Sequence, residues 1–443
     1  MSADPKHTMH QINLDLSLEE ICKIEGAAGL DLSIVNNQVT KCHFKITEYK
    51  RFYTQAVVGK AAMAAPTLLA RICGTCSNAH IMAAIEAVEN ALKITPSPQT
   101  MLLRRLIMNG LIIRDHALHL YIFVLPDLFN KDSILDFDDS NPNQHQLVHD
   151  TFEVKDAGNQ LSILTGGRSV HAPLPQVGGF NQVPTPQATT TVITKLKAVR
   201  PAVLKLIKIF ADYPLTQTHS IPYLSHHNSD YSYLVGEVCS SDGICIPQEN
   251  YRSQLHHLNL PYSHASAYTY KDRPYFTGAL ARINLNHDSL NPQTKQAAAL
   301  ALQSFPSRNL YHNNLAQAIE ILNAIDDTLS VLPKAKFQLE PLVKPQLNSG
   351  EGFGLVEAPR GILYHHLSVI ENVIKDAEIL VPTGQNQLNI ENDIKILVEN
   401  KLKNQSLTDN LKQQLEHDIE VLIRAYDPCM SCASHFLKIS WNK

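Results

Sequence analysis

The chain has 443 residues, 44% hydrophobic and 18% charged, with a net charge of −4. That balance belongs to a folded protein able to bury a large core and excludes a disordered chain. It also gives no basic footprint for nucleic acid and no cationic face for an anionic membrane.

The opening MSADPKHTMHQINLDL lacks the charged-then-apolar layout of a signal peptide. Residues 1–60 read as strand-rich: HQINLDLS, a break at Glu25-Gly26, then LDLSIVNNQVTKCHFKI with an Asn-Asn turn. From residue 61 the pattern turns helical, with predicted helices over 77–92, 98–125, 189–210, 294–304, 315–332 and 407–425. The last two step their apolar residues by three and four, as amphipathic helices require. The most apolar stretch, 101–125, carries Arg104, Arg105, Arg114, Asp115 and His116. A bilayer span would not hold them, so the stretch predicts a buried helix with polar groups in its middle. Passages at 166–186 and 214–272 are rich in Pro, Gly and His and long for loops, which predicts cover over a site or a partner surface. No repeat, low-complexity linker or clear boundary interrupts 1–443. One unit is predicted, α+β and mainly helical, with a small N-terminal β-sheet and a helical core over 61–435.

Eight cysteines in so long a chain do not make a disulfide framework, and a cytoplasmic, reducing location is the default. Four of them form two C-x-x-C pairs, Cys73/Cys76 in ARICGTCSNAH and Cys429/Cys432 in DPCMSCASH. Two intervening residues put both sulfurs on one side of a turn. Two such pairs offer four thiolates to a soft or borderline ion: zinc, nickel or iron. His80 follows Cys76 by four residues, close enough along a helix to ligate or to hydrogen-bond a sulfur. Structural zinc sites are usually local, whereas these pairs lie nearly a chain length apart. Cys22, Cys42, Cys239 and Cys245 form no third pair, so an iron–sulfur cluster within the chain is not expected.

The two motifs resemble the metal-binding signatures of the large subunit of nickel–iron hydrogenases. Further segments follow in that family's order. Arg114-Asp115-His116 with His119 and Tyr121 resembles its D-H-x-x-H-x-Y helix, and Gly166-Gly167-Arg168 with His171-Ala172-Pro173 its G-G-R-x-x-H-P element. Thr277-Gly278-Ala279-Leu280-Ala281-Arg282 looks like its G-A-L-A-R strand, Glu357-Ala358-Pro359-Arg360-Gly361 its E-A-P-R-G loop, and Val381-Pro382-Thr383 with Asn386 its P-T-x-x-N segment.

The resemblance implies a catalytic subunit that reversibly splits dihydrogen at a Ni-Fe centre whose iron carries cyanide and carbon monoxide. Cys73 and Cys429 would be terminal on nickel, and Cys76 and Cys432 would bridge. His80 would donate to a bridging sulfur. Arg360 would stand over the open metal position with Asp115 as its buried partner. Pro359 and Thr383 would cradle the cyanides, and Asp427 would flank the second motif. Glu25, in Lys23-Ile24-Glu25-Gly26, would pass protons outward from a terminal cysteine. An iron–sulfur small subunit is implied as partner, with further electron-transfer subunits, a maturation endopeptidase and nickel chaperones.

Two departures stand out. Thr54 follows Arg51-Phe52-Tyr53 where the family places a glutamate ligand for a Mg or Fe ion near the C-terminus. Eight residues, Phe436 to Lys443, follow His435, the position at which the family is commonly cut and where His435 would help hold that ion. Read without the family, His80 is a satisfied core histidine, Arg360 a loop ion pair, Asp115 a helix ion pair and Glu25 a strand-end turn. A non-catalytic hydrogenase-like scaffold of a redox complex and a zinc-stabilised helical protein are the competing readings.

Overall fold

The structure is a computed structural model that describes residues 12–434 apart from 50 and 404. His435 and the tail 436–443 therefore lie outside the described residues.

Strands β1 (Leu14–Leu18), β2 (Ala28–Val35) and β3 (Gln38–Ile46) form an antiparallel sheet in that order. Asn36 and Asn37, at φ 51° and 64°, make the hairpin turn between β2 and β3. Two positive φ values give the turn the twist that a two-residue hairpin needs, and asparagine tolerates them.

Four long helices follow: α1 (Ser77–Leu92), α2 (Pro98–Ala117), α3 (Pro142–Gly166) and α4 (Pro186–Ala211). A π-helical turn, Leu118–Val124, extends α2 and carries His119 and Tyr121. Ser97, Asn141 and Thr185 cap α2, α3 and α4, each with proline in the first turn, which is the expected N-terminal chemistry. Helix α3 fell in no predicted segment because its polar and apolar residues show little periodicity.

The region expected to be long loops folds into small antiparallel pieces. Strands β4 (Leu224–His227), β5 (Glu237–Ser240) and β6 (Cys245–Ile246) form one sheet, and β7 (Leu255–Asn259) pairs with β8 (Ser266–Tyr270). Cys239 and Cys245 face each other across β5 and β6 and form a disulfide. One bridge over six residues is no disulfide framework, although a reducing location as the default gave no reason to expect it. The G-A-L-A-R element is likewise not a strand. Helix α5 (Ala279–Asn286) begins directly after Gly278, as good helix formers such as Ala, Leu and Arg favour.

Helix α6 (His312–Val331) precedes a three-stranded sheet of β9 (Gly350–Ala358), β10 (Gly361–Ile370) and β11 (Val373–Leu380). Helices α7 (Pro382–Lys401) and α8 (Asp409–Ala425) complete the core. The contact between β9 and α1 is very close. A Cβ on Gly350, Gly352 or Gly354 would stand 2.0–2.3 Å from the carbonyl oxygens of Ala91, Ala87 and Ala83. Alternate glycines on the strand thus meet alanines spaced by one helical turn, and backbone lies on backbone. The helix that starts at the first cysteine motif is in this way locked to the hairpin that carries Arg360.

Candidate metal centre

Cys73 ends a short 3-10 turn, and Cys76 is the residue before α1, so the first pair sits at a helix entrance. The second pair follows the end of α8. Asp427, at φ 51°, turns the chain, and Cys432 lies in the single helical turn Met430–Ala433. The backbone of Glu25 bridges to Cys429, with the Met430 amide donating to the Glu25 carbonyl at 2.9 Å.

These elements bring the four sulfurs within 4.8 Å of one another, all buried. The Cys73–Cys429 separation is 3.4 Å and the Cys76–Cys432 separation 3.0 Å, each across 356 residues of chain. Hydrogen bonds, from Cys429 above all, hold the Cys73 thiol well below its usual range, while burial pushes Cys429 and Cys432 well above theirs. Four buried sulfurs cannot share negative charge at these distances without a cation.

Glu25 reaches the cluster from the N-terminal sheet side. Its Oε2 lies 3.0 Å from Cys429 Sγ and accepts the Ser431 amide at 3.0 Å. Burial and the neighbouring Cys73 charge raise its pKa. The segment before it is anchored by Asp127, which pairs with both Lys23 and Arg424. Arg424 also donates to the Cys22 carbonyl at 3.0 Å.

Arg360 occupies the two-residue turn between β9 and β10, next to the closing pair Ala358–Gly361. Its guanidinium stands 2.9 Å from Asp115 and 2.9 Å from Asp427, all three side chains at most 3% exposed. Asp115 and Asp427 thus flank the one cation. Glycine at 361 is required, because φ is 128° and a Cβ would stand 2.5 Å from Thr277 Oγ1.

A small cavity of about 10 Å³ opens beside the sulfurs, lined among others by Cys76, Cys432, Pro359, Arg360, Pro382 and Thr383. Thr383 Oγ1 accepts the Cys429 amide at 2.9 Å. Its own hydroxyl hydrogen remains to be donated into the cavity. Arg360 Nε is buried there without a hydrogen-bond acceptor, while Nη1 faces Asp115. Donors facing an enclosed space beside two adjacent sulfurs suit a second metal with small polar ligands, so the residues fit a Ni-Fe centre.

His80 joins the cluster through Nε2, 3.6 Å from Cys432 Sγ, and its Nδ1 is 3.0 Å from His365 Nε2. Burial pushes the His80 pKa down to about 4, so the ring is neutral. If Nε2 carries its proton toward sulfur, Nδ1 accepts from His365. His365 was missed by sequence reasoning, although the β10 alternation Leu363, His365, Leu367 places it on the inward face. Also missed was Gln317, which bonds both His119 and Asp427.

Glu48, the acidic residue shortly before Thr54, spends its carboxylate on the amides of Ala27 and Tyr49. Among the described residues, Glu237, Cys239 and Cys245 also bring three metal-ligand types close together, but the two cysteines form the disulfide.

A family profile described as nickel-dependent hydrogenase matches residues 53–160 and 213–435. Sulfhydrogenase 2 subunit alpha of Pyrococcus furiosus is 31% identical over 428 residues, covering 96% of this chain and 100% of that protein. Sulfhydrogenase 1 subunit alpha of the same organism is 28% identical, covering 97% and 100%. Among solved structures, an NAD+-reducing [NiFe]-hydrogenase superposes with a TM-score of 0.80 at 23% identity, covering 96% of this chain and all of that one. With the profile spanning most of the sequence and both cysteine motifs converging in one buried cluster, the chain belongs to the nickel-dependent hydrogenases.

Proposed function

We propose that the chain is the catalytic large subunit of a [NiFe] hydrogenase, taking dihydrogen reversibly to two protons and two electrons. The convergence of Cys73, Cys76, Cys429 and Cys432 carries this reading. A bound nickel–iron pair supplies a Lewis acid that polarises dihydrogen enough for a base to take a proton.

The chain's own residues then have distinct tasks. Cys73 and Cys429 would hold the nickel, and Cys76 and Cys432, beside the cavity, would hold it together with the iron. Arg360, held between two carboxylates, fixes a positive field over that cavity and keeps water ordered or out. Thr383 would offer its hydroxyl to a cyanide on the iron, and the Pro359 ring, which has no N–H to give, would line the same side of the cavity. His80 steadies Cys432. Glu25 accepts a proton from Cys429 Sγ at 3.0 Å and passes it outward.

Electrons need a partner. Cys22 and Cys42 stand apart from any other cysteine, and Cys239 and Cys245 are paired, so an iron–sulfur small subunit is the natural acceptor. Arg71, Arg168 and His171 line a surface cleft with no ion-pair partner among the described residues, a cationic face suited to an anionic cluster. The same reading treats 1–443 as one catalytic unit, with 1–60 forming the strand-rich part. It places the protein in the cytoplasm, which accords with the lack of any described helix long and apolar enough to cross a membrane. A Mg or Fe ion near His435, and removal of 436–443 by a maturation endopeptidase after nickel delivery by chaperones, complete it.

Metal analysis with infrared spectroscopy tests the reading. Nickel and iron in equal amounts, with cyanide and carbon monoxide bands, are expected. Zinc alone would leave a structural zinc protein, and no metal would leave a scaffold subunit.

A further inference from the structure

Helix α3 carries a second arrangement of metal-ligating side chains, remote from the cysteines. His145 and His149 are one turn apart near its N-terminal end, and their Nε2 atoms stand 3.1 Å from each other. The rings meet edge to face, with centroids 4.6 Å apart. On the outer side of His145, Asp139 Oδ1 lies 2.5 Å from Nδ1.

The hydrogen bonds fix the protons. With Asp139 accepting from His145 Nδ1–H, the neutral His145 ring carries its lone pair on Nε2. The 3.1 Å contact then needs His149 Nε2 to donate, so a single proton sits between two nitrogens. A divalent cation can take the place of that proton. Carboxylate, imidazole and cation in line is the usual build of a histidine metal ligand.

The carboxylate is positioned, not incidental. Asp138 accepts from the backbone amide and hydroxyl of Ser140, and the Asp138 amide donates to Gln144 at 2.8 Å. The turn that presents the exposed Asp139 is thereby closed on itself and tied through Gln144 to the first turn of α3. Asp132, Asp136, Asp138 and Asp139 fall in the segment leading into α3, and Lys131 acts on Asp138 from the same segment. Glu153, one turn beyond His149, lies on the same helix face and is exposed, within reach of a ligand's role on rotation.

The separation also speaks to the ion. Metal–nitrogen bonds of about 2.1 Å to two nitrogens 3.1 Å apart subtend roughly 95° at the metal. That is close to the right angle of octahedral or square-planar sites and narrower than a tetrahedral one, so it suits nickel or copper better than zinc.

We propose that His145 and His149, oriented by Asp139, form a surface site for a divalent transition metal, Ni2+ or Cu2+ in preference to Zn2+. The site is open, with both histidines on one helix and water completing the coordination. Gly158, against which Arg114 packs on its way to the Thr75 carbonyl of the first cysteine motif, is roughly 14 Å along α3 from His149 at about 1.5 Å per residue, so the site binds without touching the cysteine centre.

The test is calorimetric titration of Ni2+ into untagged, mature, metal-loaded protein, in which the cysteine centre is already occupied. One exchangeable Ni2+ per chain is expected in addition to the resident metal. His149→Ala should weaken it at least ten-fold, and Asp139→Asn should weaken it several-fold while leaving the stoichiometry. Hydrogen uptake should be the same in all three proteins. Zn2+ titrated in parallel should bind more weakly than Ni2+. The same Ni2+ isotherm in a His145→Ala/His149→Ala double variant would overturn the site, and so would the absence of any exchangeable Ni2+ in the unaltered protein. Zn2+ binding more tightly than Ni2+ would overturn the assignment of the ion.

Discussion

Arg282 donates from Nη2 to the carbonyl of Pro359 at 2.9 Å and from Nη1 to that of Ala358 at 3.0 Å. The G-A-L-A-R element thus grips the E-A-P-R-G element, α5 holding the turn that presents Arg360. The same guanidinium forks onto Glu320 at 2.6 and 2.7 Å and reaches Glu357 at 2.8 Å, all fully enclosed. Its five donors are matched to five acceptors, which lysine cannot do.

Arg282→Met is therefore expected to lose about 3–5 kcal/mol, the usual cost of stranding a buried partner charge, here Glu320 and Glu357. The thermal midpoint should fall and nickel content with it, because the turn carrying Arg360 loses both backbone anchors. An unchanged midpoint would mean that α5 does not hold the turn.

Part of this was legible beforehand. The C-x-x-C spacing exposes the ligands, because two sulfurs on one turn need only sequence proximity. The Asn-Asn turn and strands of the N-terminal region are visible for the same local reason. Convergence of Cys73 and Cys429 is a property of packing across 356 residues, which local periodicity does not carry. It was reached only through the ordered set of motifs. Helix α3 escaped because its polar and apolar residues alternate without a clean stripe, and α5 was misread because its strand label came with the family resemblance, against the helix preference of its own Ala, Leu and Arg.

Arg360→Lys is expected to keep nickel and iron while activity falls by about two orders of magnitude, the scale of one preorganised electrostatic donor. A lysine can satisfy Asp115 or Asp427 but not hold a plane between them. Hydrogen uptake with metal quantified on the same sample decides it; full turnover at normal metal content would refute the role.

Glu25→Gln keeps the shape and the bond to the Ser431 amide but removes the titrating carboxylate. Turnover should drop on the order of 100-fold, as for a lost acid–base group. The infrared spectrum of the resting site should stay the same. Activity within two-fold of the parent would send the protons by another route.

Thr383→Val removes the hydroxyl that accepts the Cys429 amide, leaving a buried N–H unpaired at a cost of about 1–3 kcal/mol. Thr383→Ser should restore both the bond and the donor into the cavity. Metal occupancy is the readout: low in the valine variant, normal in the serine variant. Equal occupancy in both would show that the hydroxyl is dispensable to assembly.

Glu391 on α7 offers a pH-dependent test of the packing between helix and sheet. It accepts the Phe44 amide at 2.9 Å from the edge of β3, and Tyr262 donates to it at 2.9 Å. Burial outweighs those bonds and pushes its pKa up to about 7, against 4.5 for the free side chain. The folded chain then keeps a proton that the unfolded chain gives up. Its stabilising contribution is complete below about pH 4.5 and is lost as pH rises through about 7. A shift of that size amounts to at most about 3 kcal/mol, at 1.36 kcal/mol for each pH unit. Glutamine cannot ionise and still accepts from Phe44. Glu391→Gln should therefore match the parent at pH 5 and exceed it at pH 8, with thermal midpoints recorded at one scan rate. If the two proteins lose stability in parallel between pH 5 and pH 8, the Glu391 carboxylate is already ionised in the folded chain, and its proton does not hold β3 to α7.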